Sequence, residues 1–225
     1  MPDSAVEEAT GAARYVPRRG GLPSLRRAAA ACQGCPLFED ATGTVFGEGS
    51  SSARIVLVGE QPGDQEDHLG EPFVSPAGRL LHKALAEAGI DETDTYLTNA
   101  VKHFKFTTAS GGKRRIHKAP SLREVAACQP WLTAELKVIN PEVVVALGAT
   151  AGKALLGNSF RVGDQRGLIL PAPPWDALAT ESAQNDDGHR LVATLHPSAV
   201  LRADDREAAY EGLVTDLRVA ASCVQ

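Results

Sequence analysis

No stretch of this sequence stays apolar for long. The longest runs, RIVLVG at 54–59 and EVVVALG at 142–148, are strand-sized and far short of a bilayer span. The opening residues, MPDSAVEEATGAARYVPRRGG, lack a basic start followed by an apolar core, so no secretory leader is read and a cytoplasmic location is expected. There is no GxxxxGK[ST], which sets aside a P-loop kinase or ATPase. There is no GxGxxG after the first strand-like run and no GxSxG elbow. Neither an internal repeat nor a compositional break divides the chain, so a single domain is expected over residues 21–225, behind a flexible extension over residues 1–20.

Positive charge is also scarce overall. The 225 residues carry a formal net charge of −5, so any binding to nucleic acid must be local. One segment supplies it. Lys102, Lys105, Lys113, Arg114, Arg115 and Lys118 fall within seventeen residues that hold no carboxylate. KRRIHKAP, at 113–120, sets His117 among these cations. Such a run is either a solvated surface loop or a loop that grips phosphates and presents an imidazole to them.

There are four cysteines, Cys32, Cys35, Cys128 and Cys223. A chain this large needs no disulfide staples. ACQGCPL is a CxxC, whose spacing suits a metal centre or a dithiol redox pair. A redox pair would open the helix after a strand, and no strand-like run precedes this one, which favours metal or cluster.

At 43% hydrophobic and 23% charged, the composition is that of a folded globular chain. Buried strands are expected at 53–59, 94–101, 142–148 and 190–197, with GLILP as a further strand or hairpin arm. Helices are expected at 75–89, with Ser75 and Pro76 at its start and Gly89 at its end, and at 121–139, with Ser121 and Glu124 as a capping box. Pro130 should kink or break the second. A short helix should follow 148, and a last one should close the chain. Strands alternating with helices predict an α/β fold, a mostly parallel sheet covered on both faces. In such sheets ligands bind beyond the carboxyl ends of the strands. There the sequence puts Glu60, Asp64, Asp67, Asn99 and His196.

These residues carry a resemblance. GEQPGDQED, GEPFVSPAGRLL, YLTNAVKHF and HPS, in order and at strand ends, resemble the uracil-DNA glycosylase superfamily on its iron–sulfur side, related to the family 4 enzymes. KRRIH resembles the UdgX branch in particular. The resemblance runs from Cys32 through the last helix. It implies a three-layer α/β/α sandwich and an enzyme of DNA repair that excises uracil from DNA, single- or double-stranded; nothing in the sequence suggests more than a monomer. It implies a uracil pocket in which Asn99 pairs with the base, Phe73 stacks on it, the backbone from Gln61 to Gly63 bonds a uracil oxygen and His196 donates to O2. Glu60 would orient water or stabilise the cation-like sugar. His117 would attack C1′ and leave the protein joined to the abasic site. Asp64, Asp67 and Arg115 would support the loop. Lys113, Arg114, Lys118, Ser198 and Arg202 would hold the DNA. The resemblance further implies a [4Fe–4S] cluster on Cys32, Cys35, His103 and Cys128, with His103 where relatives carry a third cysteine. The rival set is Cys32, Cys35, Cys128 and Cys223 around zinc. The rival activities are a glycosylase that turns over, with His117 only a DNA contact, and a metal-containing DNA-binding module without catalysis.

Overall fold

Hydrophobic runs buried on both faces, rather than alternating ones, organise this protein. The computed structural model describes residues 11–109, 114–175 and 189–224. In chain order its strands are β1 (Glu48–Gly49), β2 (Ile55–Gly59), β3 (Thr95–Asn99), β4 (Phe106–Thr108), β5 (Arg115–His117), β6 (Val143–Leu147), β7 (Ile169–Pro171) and β8 (Arg190–Thr194). The α-helices are α1 (Leu22–Ala29), α2 (Asp64–Leu69), α3 (Pro76–Glu87), α4 (Leu122–Ile139), α5 (Gly148–Leu156), α6 (Val162–Gln165), α7 (Pro197–Arg202) and α8 (Arg206–Ser222).

Six strands form one sheet in the order β1-β3-β2-β6-β8-β7. The central four are parallel, and every residue of β2, β3 and β6 is buried. Only the edges, β1 and β7, run antiparallel. Successive side chains of a strand point to opposite faces, which splits the core in two. Val56, Val58, Val144 and Ala146 pack under α1, α4 and α5. Ile55, Leu57, Val143 and Val145 pack under α3, α7 and α8. The result is the expected three-layer α/β/α sandwich with a mostly parallel central sheet. Because β2, β3, β6 and β8 are parallel, their carboxyl ends share one edge.

Local signals account for the long helices. Ser121 and Glu124 form the capping box of α4. Pro76 opens α3, and Gly89 follows it at φ 77°. Pro130 does not break α4, which runs unbroken past it. Its missing N–H costs roughly 3 kcal/mol. The complete burial of Trp131, Leu132 and Leu136 just beyond outweighs this, at about 1.5–3 kcal/mol for each such side chain.

Three expectations need correction. Over 11–16 the chain is not a loose extension: Gly11–Arg14 is a 3₁₀ turn, Ala12 is buried, and Tyr15 and Val16 pack on the α4 side of the core. A Cβ on Gly11 would lie 2.8 Å from the Ala127 carbonyl oxygen, so the turn sits directly on α4. Residues 1–10 lie outside the described residues. Lys102 is not part of a basic surface. It is fully buried, and its Nζ donates to Glu135 Oε2 at 2.5 Å, Thr98 Oγ1 at 2.6 Å and the Asn99 carbonyl at 2.8 Å. Glu135 also accepts from Tyr96, Thr98 and the Gly47 amide, so the buried pair is fully bonded, as an ion pair without water must be. Finally, the basic run is not simply a loop: its residues Arg115–His117 form β5 of the two-stranded ribbon β4–β5.

Candidate active site

A cavity of about 500 Å³ opens at the carboxyl edge of the central strands. Glu60, Gln61, Gly63, Phe73, Asn99, His117, His196, Ser198 and Arg202 all line it, though they span more than half the chain. No described helix is long and apolar enough to cross a membrane.

The floor is set by β2 and β3. Gly59 pairs with Asn99 across the register. A Cβ on Gly59 would stand 2.3 Å from Asn99 Oδ1 and 2.8 Å from Phe73 Cζ, so only glycine lets the amide and the ring close over the strand. Phe73 adopts a left-handed conformation, φ 57°, which is costly for a bulky residue. Its carbonyl oxygen would lie 1.7 Å from a Cβ on Gly78, so a second glycine, in α3, makes room for the bend.

His196 stands at the start of α7. Its Nδ1 accepts the Ser198 backbone N–H at 3.1 Å, so in the neutral ring the proton sits on Nε2. Burial, reinforced by the neighbouring Arg202 and His117, pushes its pKa down to about 4. At neutral pH His196 is therefore an uncharged donor. Gly148, at φ 85°, lets the chain turn into α5 beneath it, where a Cβ would meet His196 Cβ at 3.0 Å.

His117 comes from the other side, on β5. The ribbon pairs Phe106 with His117 and Thr108 with Arg115. Residues two apart in a strand share a face, so Arg115 and His117 point the same way. Arg115 Nε meets Asp64 Oδ1 at 2.5 Å, and its Nη1 meets the buried Asp67 Oδ2 at 2.6 Å. Its guanidinium also lies 4.9 Å from the Phe106 ring centre. Asp67 in turn accepts from the Thr42 amide and hydroxyl. Gln61 pins the base of the ribbon: its Nε2 donates to the Lys118 carbonyl at 3.0 Å and its Oε1 accepts the Lys105 amide at 3.1 Å. So anchored, His117 Nε2 lies 3.4 Å from Glu60 Oε1, close but not hydrogen bonded. Partial burial lowers the His117 pKa, Glu60 pulls it up and Arg202 pushes it down, for a net downward shift. The ring is half-exposed, open to a ligand, and neutral at neutral pH.

Arg114 and Lys118 are exposed at the two ends of β5 and do not line the cavity; Lys113 lies outside the described residues. Two further lining residues were not singled out by the sequence, Thr150 outside any motif and Glu66 within GEQPGDQED. Thr150, in the first turn of α5, donates to Glu60 Oε2. Glu66, buried in α2, accepts the Ser75 amide at 2.9 Å, while its Oε2 has no partner.

The sulfur-rich region lies across the α4 layer. Trp131 Nε1 donates to Cys32 Sγ at 3.2 Å, and the Lys102 amide donates to Cys128 Sγ at 3.3 Å. Burial raises the Cys128 thiol to about 12, and Cys35 and Cys32 add to this. Cys35 is raised by burial too, and by Cys32 as well. Three neighbouring sulfurs, two of them receiving N–H bonds, have the chemistry of a soft donor set that suits a cation. His103 is buried with Nε2 3.0 Å from Thr44 Oγ1. Thr44 gives its own proton to the Ala29 carbonyl, so His103 Nε2 carries the hydrogen and Nδ1 the lone pair. Among the described residues, no three His, Cys, Asp or Glu side chains gather closely enough to hold a metal ion. The donor types nonetheless fit an iron–sulfur group. Cys223 does not belong with them: it is buried in the opposite core, under α3 and α8.

Comparison with known proteins agrees with this architecture. Residues 46–218 match the uracil DNA glycosylase superfamily. The chain is 38% identical over 177 residues to a type-4 uracil-DNA glycosylase of Thermotoga maritima, covering 78% of this chain and 81% of the relative. It is 33% identical over 171 residues to one from Pyrobaculum aerophilum, covering 76% and 80%. It is 31% identical over 195 residues to one from Archaeoglobus fulgidus, covering 84% and 88%.

Proposed function

The chain belongs to the uracil-DNA glycosylase superfamily, and from that premise we propose that it excises uracil from DNA and then captures the abasic sugar on His117. Its similarity to proteins named type-4 uracil-DNA glycosylases supports excision. The observation that carries capture is His117 Nε2 at 3.4 Å from Glu60 Oε1, on a ribbon held by Arg115.

A flipped uracil enters the cavity, stacks on Phe73 and presents its polar edge to the Asn99 amide, whose donor and acceptor suit uracil and mismatch cytosine. The backbone of Gln61–Gly63 bonds a base oxygen. As the C1′–N1 bond breaks, its electron pair leaves with the base. The His196 Nε2–H donates to O2, where that charge collects. Glu60 stands beside the cationic sugar. His117, neutral and within reach, supplies the Nε2 lone pair to C1′, and proximity favours it over water. The N–C bond formed has no easy hydrolytic exit. Arg114, Lys118, Ser198 and Arg202 hold the strand, alongside Lys113. Cys32, Cys35, His103 and Cys128 would hold a [4Fe–4S] cluster, which supplies a structural tie between the N-terminal segment and the base of the ribbon.

The second reading is a glycosylase that turns over, with Glu60 directing water to C1′. The type-4 names of the relatives favour it. Denaturing electrophoresis with a uracil-containing oligonucleotide separates the two. Capture gives a heat-stable shifted band, absent with thymine and lost in His117→Ser, while the variant still releases uracil. Abasic product without a band from the native protein establishes turnover.

A further inference from the structure

The two oxygens of Glu60 have different neighbours. Oε2 takes the hydrogen bond from Thr150 Oγ1, and Oε1 faces His117 Nε2. A hydroxyl has one proton, and giving it to Oε2 fixes which oxygen is left for the cavity. Thr150 is itself held in place. β6, which leads into α5, pairs directly with β2, which ends one residue before Glu60. The Gly148 turn packs α5 against His196. The hydroxyl therefore joins two neighbouring strand ends, and the carboxylate between them cannot rotate freely while the bond lasts.

We propose that Thr150 is a positioning residue that determines whether C1′ of the abasic sugar is bonded by His117 or by water. With Oε2 held, Oε1 stays beside His117 and stabilises the positive charge the imidazole gains as it takes C1′. With Oε2 released, the carboxylate is free to turn and hold a water. The proposal rests on the capture reading above. Both branches start from the same step, in which the C1′–N1 electron pair leaves with uracil. In capture, Nε2 donates its lone pair to C1′, the ring loses its Nδ1 proton to solvent, and uracil takes up a proton. In the water branch, the water oxygen bonds C1′ and its proton passes to Glu60. The ratio of adduct to free abasic DNA therefore reports which neighbour the carboxylate serves.

The test uses the native chain with Thr150→Val, Thr150→Ala and Thr150→Ser. Adduct is measured by denaturing electrophoresis and free abasic DNA by alkaline cleavage of the same reactions. Melting temperatures confirm that each variant is folded, and the alanine variant serves if the valine variant is not. The ratio is expected to fall about tenfold or more in the valine and alanine variants and to hold near the native value in the serine variant, which keeps the hydroxyl. An unchanged ratio in folded valine or alanine variants overturns the proposal, and so does an equal fall in the serine variant. If the native protein yields abasic DNA and no adduct, the capture reading fails on that result alone. Thr150 is then judged on uracil release: a rate lost in Thr150→Val and restored in Thr150→Ser keeps it as the residue that positions Glu60, and an unaffected rate removes it.

Discussion

Arg115 and His117 stand two positions apart in one short strand, so the residue that anchors the ribbon and the residue that faces Glu60 share a side. Arg115 reaches Asp64 and Asp67 through separate nitrogens of its guanidinium. Lysine has no such fork. Arg115→Lys is expected to slow adduct formation by about tenfold to a hundredfold, with a smaller effect on uracil release, because only capture needs the imidazole within reach of C1′. Time courses of adduct and of free uracil check this; equal losses in both would make Arg115 a general fold residue.

Acid should destabilise the protein through His196. Its folded pKa is about 4 against an ordinary 6.5. Between those values the unfolded chain takes up a proton that the folded one refuses. The contribution is full above pH 6.5 and is lost as pH falls toward 4, by at most about 3 kcal/mol. Thermal melts across that range should fall less steeply for His196→Gln than for the native protein. His103 and His117 shift in the same direction, so the comparison with the variant, not the native slope, is the measurement.

Gly59→Ala should disable the pocket. The added methyl would meet Asn99 Oδ1 at 2.3 Å and Phe73 Cζ at 2.8 Å, and both side chains must move. Overpacking of this kind costs about 1–3 kcal/mol of stability. Uracil release should fall by far more than the melting temperature implies. Activity close to native in Gly59→Ala would show that the Asn99–Phe73 arrangement is not what reads the base.

Iron content should separate the cysteines. Cys128→Ala should purify with little iron and without the brown absorbance of a cluster, whereas Cys223→Ala should keep both. Cys128 shares a core with Cys32, and Cys223 lies across the sheet from them. Retention of iron in Cys128→Ala, or its loss in Cys223→Ala, would overturn the ligand set. Zinc in place of iron would overturn the cluster.

β2 and β6 were legible because burial on both faces writes continuous Val, Ile and Leu, while β3 (TYLTN) and β8 (RLVAT) show shorter β-branched and aromatic stretches that end in polar residues. The cavity residues were legible through short motifs at the ends of those strands. What escaped notice had no such trace. DQEDHL has no apolar period, so α2 reads as loop; its helix is bounded by Gly63 and the left-handed Gly70. β4 and β5 have three residues each and alternate too briefly to register. Lys102 counts as a surface cation in any tally of charge, and only the fold reveals Glu135 opposite it. Thr150 lies in a segment where nothing but position in space connects it to Glu60, and nothing in GEQPGDQED marks Glu66 as the buried partner of the Ser75 amide.

The ribbon lends no strand to the central sheet. It is fastened from outside, by Gln61 at its base and by Arg115 on its face, to elements that already surround the pocket. A change in the ribbon can therefore move His117 relative to Glu60 without disturbing the strand pairing that builds the pocket floor.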